Sequence, residues 1–535
     1  MPTIEASKKD LLSLIGKKLN DKELALALQY AKSEFSGENN IKIEIADVNQ
    51  PDLLSIEGIA RQCKLGLKII SGLQKYEVKK SNYKISANSK TRPLIAAAVV
   101  KNIKFSDESI KQIIQLQEKL CEIFGKKRKE AALGIYDFDK ISWPILYADY
   151  KPEDIRFIPL EETKEMNAIQ ILNKHPTGIS YKHLLENEKF YPLLADSKKQ
   201  ILSMPPIINS NYSGKVTEKT KNVFIEVTGY NYRFILPVLN TVVTALAERG
   251  GKIEEVKINN FSTPDLSPRE FSLDLEEINS VLGLNLNSSQ AIQLLKKAGY
   301  NASGNKKIKA VYPAYRQDIM DSRDIIEDIA IAYGYNKISP VKPVISSEGG
   351  ESEQVLLSNK IADLLVGLGF QEIATPTLTS KEILFKKMNK KPDKIIEVEN
   401  PVSELYCVMR QELLSSALNF LSKNVDSEYP QKIFEIGNTI NEKGKDELKL
   451  VVASTHSQAN FTELKQILQY LEEQLQIKLD IKETTSPEFI EGRAGKIIKA
   501  GKELGIIGEI HPQILKNWHL KMPVSCLEIC LDDLI

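Results

Sequence analysis

At 535 residues the chain is too long for one compact core, so we expect about three or four domains. Hydrophobic residues make up 42% and charged residues 27%, which is the balance of a soluble globular protein. The net charge is only +1, from 72 basic and 71 acidic residues, which excludes a protein that grips nucleic acid with its whole surface. Any nucleic-acid contact should therefore be local.

The cysteines and the apolar runs indicate a cytoplasmic protein that does not cross a membrane. The segment MPTIEASKKDLL has no apolar signal core, and no run of 18 uncharged apolar residues occurs. The cysteines are sparse and odd in number, which favours a reducing compartment, and no Cys/His set completes a zinc site. We expect all five to be core thiols: Cys63, Cys121, Cys407, Cys526 and Cys530.

Residues 1–84 are predicted to form a small mixed α/β domain. Asn20 is a candidate N-cap for DKELALALQYAKSEF, whose apolar positions favour a helix. The segment IKIEI alternates with period two, which predicts a strand that buries Ile41, Ile43 and Ile45. Asn49 and Pro51 indicate the start of another helix. Its buried stripe should consist of Ile56, Ile59, Ala60 and Cys63.

Residues 85–258 also have a mixed α/β pattern. Its clearest unit is NVFIEVTGYNYRFILPVLNTVVTALAERGGKIEEVKI, which predicts a strand over 222–228, a long apolar helix ending at Gly250 and Gly251, and a second strand. Upstream, SMPPIINSNYSGKVTEKTKN (203–222) is rich in Pro, Asn, Ser and Gly. We predict a long loop there, with many hydroxyl and amide groups.

The segment NNFSTPDLSPRE, from Asn259, is predicted to be a linker. After it, DLEEINSVLGL and SSQAIQLLKKAGY predict two short helices, each closed by a glycine turn. KIKAVYP predicts one strand, and an acidic helix follows it. We expect a compact winged-helix-like module over residues 266–338.

A second linker, SPVKPVISSEGGESE, leads to a last domain over residues 354–535. Helical patterns (QVLLSNKIADLLVGLG, FTELKQILQYLEEQLQI) alternate there with apolar strands (KIFEIGN, LKLVVAS, KIIKAG, ELGIIGEI). This order predicts a largely antiparallel sheet flanked by helices and built on one core. The chain as a whole is therefore predicted to be an α+β multidomain protein.

The stretch YRQDIMDSRDIIEDIAIAYGY concentrates five carboxylates, and only Arg316 and Arg323 offset them locally. They are Asp318, Asp321, Asp324, Glu327 and Asp328. Residues three and four apart share a helix face, so the last three should project together, and Asp318 could fold back toward them. Such hard oxygens suit Mg²⁺, but acidic residues in a first helical turn are also commonly a solvated face. From the residues alone both interpretations stay open.

The run VYPAYRQDIMDSRDIIEDIAIAYGYNKI resembles the central module of phenylalanyl-tRNA synthetase β subunits. The resemblance implies an Mg²⁺ site formed by Asp318, Asp324, Glu327 and Asp328, shared with an α subunit. Asp321 does not match a ligand position of that motif.

Other stretches carry the same resemblance in the order that the family requires. NQPDLLSIEGIARQCK is similar to the family's first domain, although Gln50 stands where its pattern usually has Arg. LSMPPIINS and KNVFIEVTG resemble the editing domain of the archaeal and eukaryotic-cytosolic form. ENPVSELYCVMRQELLSSAL and FIEGRAGKIIKAGKELGIIGEIHPQIL resemble the carboxy-terminal domain, a class II synthetase catalytic fold that has lost its active site.

The resemblance implies the β subunit of an aminoacyl-tRNA synthetase, which is a ligase. Its partners would be an α subunit in an α2β2 heterotetramer, tRNA-Phe, and ATP and phenylalanine bound through α. The β chain would act as scaffold and as editor of Tyr-tRNA. Arg410 and Arg493 lie where a class II fold carries its arginine motifs, and we interpret both as structural. No P-loop offers ATP another site.

Editing requires polar groups beside a pocket, and the 203–222 segment is rich in them. The candidates are Asn209, Ser210, Asn211, Ser213 and Thr228. An ordinary turn-rich loop is the alternative for each. His175 and His183 are possible general bases, although a lone histidine is more often a packing or surface residue, so no catalytic residue is assigned. The basic run GKKRKE (125–130) could hold tRNA phosphates, or it could be a solvated face.

Two rival functions remain at this point. One is a free-standing tRNA-editing deacylase or a non-catalytic binding subunit. The other is an Mg²⁺-dependent phosphotransferase that uses the acidic cluster.

Overall fold

The computed structural model describes residues 1–534 and has a mixed α/β architecture built from several sheets. The chain divides into two compact units, Met1–Val341 and a second unit from Lys342 onward. This arrangement confirms the predicted multidomain mixture of helices and strands. The predicted boundaries at residues 84, 258, 266, 338 and 354 stay predictions.

The chain begins with a small sheet packed on three helices. The order is β1-β3-β2, with both neighbouring pairs antiparallel. Asn20 forms the predicted N-cap, and its side chain and that of Glu23 cap one another's backbone N–H groups. The elements are β1 (Thr3–Ser7), α1 (Lys8–Ile15), α2 (Asp21–Gln29), β2 (Ser33–Ser36), β3 (Asn40–Ile45) and α3 (Ile56–Gly66).

Two sequence predictions in this region need adjustment. The helix after Asn20 ends at Gln29, because Lys32 takes a left-handed φ of 50° and the chain then continues as β2. Pro51 begins a short 3-10 turn, and α3 starts only at Ile56, where the Ser55 side chain accepts a hydrogen bond from the Gly58 N–H. The predicted stripe is buried, but Glu57 and Arg61 of the same helix are buried as well.

An 11-stranded sheet fills the middle of the first unit, in the order β13-β12-β11-β8-β5-β15-β6-β14-β7, with β4 and β16 added beside β15. Its strands are β4 (Val78–Lys79), β5 (Lys84–Ala87), β6 (Leu94–Lys101), β7 (Ala131–Asp137), β8 (Ile145–Tyr150), β11 (Tyr191–Ala195), β12 (Ile201–Met204), β13 (Ile208–Asn209), β14 (Val223–Gly229), β15 (Lys252–Ile258) and β16 (Phe261–Thr263). A separate pair consists of β9 (Arg156–Phe157) and β10 (Met166–Asn167). The helices are α4 (Asp107–Lys119), α5 (Ala168–Lys174), α6 (Pro176–Tyr181), α7 (Asn211–Gly214) and α8 (Tyr232–Glu248).

The predicted strand–helix–strand unit corresponds to β14, α8 and β15. Both strands are antiparallel to β6, which lies between them, so they run parallel to each other. Period two divides β14 into two faces. Val223, Ile225 and Val227 belong to the core that includes α8 and the N-terminal layer, which consists of residues 1–66 with β1–β3 and α1–α3. Phe224 belongs to a second core on the other face.

The 203–222 segment is not the long loop that its composition predicts. Part of it forms the end of β12, then β13 and the short helix α7. The predicted linker after Asn259 is also partly strand, because β16 forms an antiparallel hairpin with β15. The Thr263 hydroxyl in β16 also exchanges hydrogen bonds with the backbone N–H and carbonyl of Ala97 (2.9 and 2.7 Å), a distant contact that local composition does not reveal.

The central module contains three antiparallel strands rather than the single strand predicted. The order is β17-β19-β18, so the predicted strand β19 is the middle one. The two predicted helices do end in glycine turns, with left-handed φ at Gly283 and Gly299. The elements are β17 (Arg269–Asp274), α9 (Leu275–Leu282), α10 (Ser288–Lys297), β18 (Asn301–Gly304), β19 (Lys307–Tyr312) and the acidic helix α11 (Ser322–Tyr333).

Two arginines join the parts of the first unit; Arg61 is buried, and Arg249 is half-buried. Arg61 bonds to Asp52 (2.9 Å) and to the Tyr76 hydroxyl (3.0 Å), and its guanidinium lies 4.2 Å from the centre of the Tyr315 ring. Arg249, after α8, contacts Asp10 at 2.8 Å and also Glu57. Because breaking a buried pair leaves an uncompensated charge, these contacts strongly restrict how the parts can separate.

The second unit is built on a seven-stranded sheet in the order β20-β23-β24-β28-β27-β26-β25. Only β20–β23 is parallel, in agreement with the predicted antiparallel sheet. Its elements are α12 (Glu353–Gly367), β20 (Gln371–Glu372), β23 (Gln431–Ile440), β24 (Asp446–Thr455), α14 (Phe461–Leu475), β25 (Asp480–Glu483), β26 (Phe489–Lys499), β27 (Lys502–Ile510), α15 (Pro512–Asn517) and β28 (Val524–Cys530). A small pair, β21 (Leu378–Thr379) with β22 (Val408–Met409), precedes α13 (Leu414–Ser422).

The second unit has a core on each face of its sheet, not the single core predicted. Residues of α12 and α14 pack on one face, and residues of α13 and α15 pack on the other. Alternate residues of β24 serve the two cores, as Leu450 and Val452 face one and Val451 and Ala453 face the other. A strand that is covered on both faces has a continuous apolar sequence, so the sequence does not show that its alternate residues belong to two different cores.

The two class II-like arginines have different environments. Arg410 is 3% exposed, and its guanidinium donates to Glu435, Thr375 and the Asn438 carbonyl. Arg493 has a side chain that is 59% exposed, and it pairs with Glu509 at 2.6 Å. Arg410 is therefore an internal bracing residue, and Arg493 belongs to a surface ion pair.

The cysteine prediction holds for three positions. Cys63, Cys121 and Cys526 are buried, whereas Cys407 and Cys530 are only half-buried. None of the helices within residues 1–534 combines the length and the apolar character that a bilayer crossing requires.

We predict that Arg410→Ala lowers the free energy of unfolding of the second unit by about 3–5 kcal/mol, because Glu435 would be left buried without its partner. Arg493→Ala, a matched control, should cost at most about 1 kcal/mol. Urea unfolding followed by fluorescence of the buried Trp518, in a Trp143→Phe background, measures both. Equal losses in the two variants would contradict this reading of Arg410.

Candidate functional site

A cavity with a volume of about 450 Å³ lies in the first unit. This volume is within the range of small-molecule sites in proteins. It runs along β7, with residues of α4 on one side and the 205–216 segment on the other. The polar and charged residues of its wall are Gln117, Glu118, Arg128, Glu161, His175, Thr177, Asn209, Asn211, Lys215 and Glu226.

β7 is an edge strand, so its outward backbone groups need partners. Gln117 donates to the Leu133 carbonyl at 3.0 Å, and Asn209 approaches the Ile135 carbonyl at 3.4 Å. Side-chain amides therefore cover the strand edge where another strand would otherwise pair. The wall of the cavity is polar here without leaving a free sheet edge.

Glu226 is the one carboxylate in the middle of the buried strand β14, and it is 3% exposed. Period two puts it on the same face as Phe224 and Thr228. Its Oε1 accepts a hydrogen bond from the Tyr136 hydroxyl at 2.9 Å, while its Oε2 has no partner within the described residues. A buried carboxylate oxygen without a partner on a cavity wall is available to a ligand.

Burial dominates the ionisation of Glu226. Loss of water raises the pKa of its carboxyl to about 7, although the Tyr136 hydrogen bond and the nearby Arg92 guanidinium both favour the charged form. The proton on this group is therefore exchangeable near neutral pH. Such a perturbed carboxyl in a cavity is the physical signature of a functional site.

Gly134 leaves room for the hydrogen-bonded side chains of Glu226 and Tyr136. It lies opposite Glu226 in the register of β14 and β7. A Cβ at position 134 would come within 2.3 Å of the Tyr136 Oη and 2.6 Å of the Glu226 Oε1. Any side chain at this position would displace the two polar groups, so glycine is required for the observed geometry.

The five predicted editing residues divide into two groups. Asn209 and Asn211 line the cavity, and the Asn209 Oδ1 lies 3.2 Å from the Tyr136 hydroxyl. Ser210, Ser213 and Thr228 are buried but do not line it. Ser210 caps α7, and Thr228 accepts a hydrogen bond from Arg92 at 3.0 Å. These three side chains therefore contribute to the support of the cavity rather than to its wall.

The two histidines also differ. His183 is exposed and does not line the cavity. His175 lines it, but its Nδ1 accepts from the Thr177 N–H at 3.2 Å and its Nε2 lies 3.2 Å from the Leu160 carbonyl. With both ring nitrogens engaged in backbone contacts, His175 has no free nitrogen to act as a base. It serves as the N-cap of α6.

The acidic stretch does not form the single cluster that its sequence predicts. Asp318 is paired with Arg316 at 2.5 Å, and Asp328, 4% exposed, is bound by Arg316 at 2.8 Å and by the Tyr300 hydroxyl at 2.6 Å. Asp324 turns back to accept from the backbone N–H groups of Met320 and Asp321, both at 2.7 Å. Asp324 and Asp321 are thus a capping box at the start of α11.

Glu327, the remaining predicted ligand, forms an ion pair with Lys32 at 2.9 Å. Lys32 comes from the N-terminal layer and also contacts Asp47 (2.8 Å) and approaches Asp328 (3.9 Å). The mutual repulsion expected from the local sequence is therefore relieved by a cation almost 300 residues away in the chain. This partner could not be found from the 315–335 stretch alone.

These donors do not fit an Mg²⁺ site in this arrangement. Among residues 1–534, no three or more His, Cys, Asp or Glu side chains are gathered so that they could hold a metal ion. Two of the predicted ligands are committed to Arg316, one to backbone amides and one to Lys32.

Comparison with known proteins supplies the family. A family model described as phenylalanyl tRNA synthetase beta chain CLM domain matches residues 338–531, and one described as tRNA synthetase B5 domain matches residues 271–335. The phenylalanine–tRNA ligase beta subunit of Thermococcus sibiricus is 44% identical over 99% of this chain and 98% of its own length. The chain belongs to the phenylalanine–tRNA ligase β-subunit family.

Other members agree with this assignment. The beta subunit of Pyrococcus horikoshii is 44% identical over 100% of both chains. The crystal structure of an N-terminal fragment of the Pyrococcus horikoshii phenylalanyl-tRNA synthetase β subunit has a TM-score of 0.61 and 46% identity. It covers 62% of this chain and 100% of the fragment. The predicted family resemblance is confirmed.

Sequence reasoning missed Glu226, Gly134 and Arg92 in this phenylalanine–tRNA ligase β-subunit chain. A signal existed for Glu226, since it is a lone acid inside the apolar run NVFIEVTG. A charged residue at the centre of a fully buried strand is rarely tolerated without a role. Gly134 and Arg92 gave no comparable signal, because their importance depends on contacts across strands.

We predict that Glu226→Gln removes one component of the pH dependence of this β subunit. Because the pKa of Glu226 is raised to about 7, its contribution to stability is complete below about pH 4.5 and is lost as pH rises toward 7. That loss amounts to about 3 kcal/mol in the wild type and should be absent in the variant.

Isotope-edited infrared spectroscopy measures the group directly, through the C=O band of a protonated carboxyl. The wild type should lose one such band with a midpoint near pH 7 that the Glu226→Gln spectrum lacks. Glu528, whose pKa burial also raises to about 7, titrates in both proteins and serves as the internal reference. Identical titrations in the two proteins would mean that Glu226 ionises normally.

Proposed function

We propose that this chain works as the β subunit of a phenylalanine–tRNA ligase, which converts ATP, L-phenylalanine and tRNA-Phe into AMP, diphosphate and L-phenylalanyl-tRNA-Phe. The near-complete coverage of relatives that bear this name supports the proposal. The chain would assemble with an α subunit as an α2β2 heterotetramer. ATP and phenylalanine would bind on the α subunit, and this chain would serve as scaffold and editor.

The second unit would be a class II synthetase-like fold without its chemistry. Arg410 lies where a class II fold carries an arginine motif, and it is buried. Its guanidinium donates hydrogen bonds to Glu435, Thr375 and a backbone carbonyl. An arginine that clamps ATP phosphates must keep its donors free for the ligand. Lys390 is likewise held between Glu412 and Glu488.

We predict that the isolated chain forms no phenylalanyl-adenylate. Phenylalanine-dependent ATP–pyrophosphate exchange should stay at background with this subunit alone and should appear when the α subunit is added. The same preparation must bind α, which sedimentation verifies. Exchange by the pure β chain would overturn the assignment of activation to α.

Editing has a physical reason in this enzyme class. A hydrophobic pocket that accepts phenylalanine rejects the added hydroxyl of tyrosine by only about 10²-fold. A second site that recognises the phenol oxygen can remove tyrosine that has been attached to tRNA-Phe. The cavity beside β7 has the size and the polar wall for such a site.

The observation that carries the editing proposal is the unpartnered Oε2 of Glu226. A tyrosine side chain in the cavity would satisfy it through the phenol O–H. A phenylalanine ring would leave the same buried oxygen without a partner, at a cost of about 1–3 kcal/mol. Glu226 would thus bind tyrosine and discriminate against the cognate amino acid.

Neighbouring groups would hold Glu226 for this role. The Tyr136 hydroxyl lies between the Glu226 Oε1 and the Asn209 Oδ1, at 2.9 and 3.2 Å. Tyr136 fixes one oxygen of the carboxyl and leaves the other to the ligand. Asn209 therefore has a positioning role in the proposal, and Asn211 remains a wall residue.

We predict that Glu226→Ala lowers kcat/KM for hydrolysis of preformed Tyr-tRNA-Phe by about 10–100-fold, which corresponds to one lost hydrogen bond to a charged or polar partner. Phenylalanine charging by the same α–β enzyme should remain unchanged. Glu153→Ala is the control, because Glu153 is exposed in the same region of the chain and does not line the cavity. Wild-type deacylation by the Glu226 variant would move the editing pocket elsewhere.

Phenylalanine–tRNA ligases are generally Mg²⁺-dependent enzymes. When bound, Mg²⁺ supplies charge neutralisation, and it prefers carboxylates with retained water. The assignment of Asp318, Asp324, Glu327 and Asp328 as its ligands stays a prediction. Their present partners, Arg316 and Lys32, already neutralise three of the four.

A further inference from the structure

Four consecutive cationic residues, Lys126 to Lys129, form a turn between α4 and β7, which we call the basic turn. None of the four side chains makes an ion pair within the part of the chain that the structure describes. The chain as a whole is nearly neutral, with a net charge of +1. Uncompensated charge concentrated at one place in such a chain creates a strong local field.

The backbone of the basic turn has an unusual conformation. Lys126, Lys127 and Arg128 all lie in the left-handed region, with φ of 50°, 55° and 65°. Each such residue costs about 1–2 kcal/mol relative to the right-handed conformation. The turn persists because the N–H groups of Lys127 and Arg128 donate to the carbonyls of Glu122 and Cys121, both at 2.9 Å.

Arg92 holds the basic turn in place through hydrogen bonds to its backbone carbonyls. It is almost fully buried, and its guanidinium donates to the carbonyls of Arg128 and Lys129, both at 3.0 Å. The same guanidinium binds Thr228 at the end of β14, through Oγ1 at 3.0 Å and the carbonyl at 2.7 Å. The basic turn is therefore tied to the strand that carries Glu226.

The basic turn also borders the cavity. Arg128 lines the cavity, donates to the Ile207 carbonyl at 2.7 Å and lies 4.1 Å from the centre of the Tyr181 ring. Lys126, Lys127 and Lys129 are exposed. Arg128 is thus engaged by the protein. The Lys126 ammonium lies 5.1 Å from the centre of the Phe234 ring, and none of the three lysines lines the cavity itself.

We propose that Lys126, Lys127 and Lys129 bind phosphates of the RNA strand whose aminoacylated 3′ end enters the cavity. This inference rests on the proposed editing function, and it assigns the RNA contact that this function requires. Positively charged grooves track single-stranded RNA through its phosphates, with an affinity that falls as salt rises. Because hydrogen bonds already fix the backbone of the turn, RNA binding has to order only the three lysine side chains.

The first test is hydrolysis of preformed Tyr-tRNA-Phe by α–β enzyme in which Lys126, Lys127 and Lys129 are all changed to Gln. KM should rise while kcat stays near the wild-type value, because Glu226 and the rest of the cavity wall are untouched. The slope of log(kcat/KM) against log salt should become shallower by about 2, from three phosphates at about 0.7 each. Between about 0.05 and 0.2 M salt, the wild type should therefore lose about twentyfold more than the variant.

The matched control changes Lys17, Lys18 and Lys22 to Gln. These three lysines are exposed in the N-terminal layer and do not line the cavity, so the same charge is removed elsewhere. The control should keep the wild-type KM and salt slope. Equal behaviour of the two triple variants would overturn the inference.

The second test does not depend on hydrolysis. Lysine acetylation of the α–β enzyme is measured by mass spectrometry with and without tRNA-Phe that carries tyrosine through a stable amide. Lys126, Lys127 and Lys129 should be protected, and Lys17, Lys18 and Lys22 should not. Absence of this protection overturns the RNA contact, whereas protection without any wild-type deacylation would overturn the editing function and leave the contact standing.

Discussion

The first unit depends on the buried ion pairs that the Arg316 guanidinium forms with Asp318 and Asp328. It neutralises carboxylates that would otherwise repel one another in the core of the central module. Lys32 and Arg61 extend the same compensation into the N-terminal layer, through Glu327 and through Asp52 and Tyr315. Charge, and not only apolar packing, therefore fixes how these parts of the unit meet.

Three buried arginines share one behaviour, and a buried glutamate on the cavity wall differs from them. Arg92, Arg316 and Arg410 are each almost inaccessible, and each uses its guanidinium nitrogens on carbonyls or carboxylates of the protein. Glu226 is equally buried and lines the cavity, yet its Oε2 has no partner within the described residues. Asp52 and Glu412 also carry an unpartnered buried oxygen, but neither residue lines the cavity, so Glu226 is the carboxylate among these three that a ligand in the cavity would satisfy.

Much of the fold could be predicted from local patterns. The capping residue Asn20, the alternation of Ile41, Ile43 and Ile45, and the glycine turns at Gly283 and Gly299 act over a few residues, so the sequence reveals them directly. Strand β17 escaped prediction because it exists through pairing with the distant strand β19. Strands β16 and β18 pair with the neighbouring strands β15 and β19, and they escaped because their short, polar segments are typical of loops. The site escaped because its residues are far apart in the sequence, since Glu226, Tyr136 and Asn209 meet only after the strands β14, β7 and β13 have assembled. Asn209 and Asn211 were found because polar richness is visible locally, and Lys32 was not because its partners lie far along the chain.

The close approach between position 134 and the Glu226–Tyr136 pair links the evolution of these positions. A methyl group at 134 would occupy space now taken by the Glu226 Oε1 and the Tyr136 Oη. A homologue with alanine there would have to shorten the acid to aspartate and move or shrink the aromatic ring, all within one lineage. These three positions should therefore vary together across related sequences, and a substitution at one of them taken alone should be selected against.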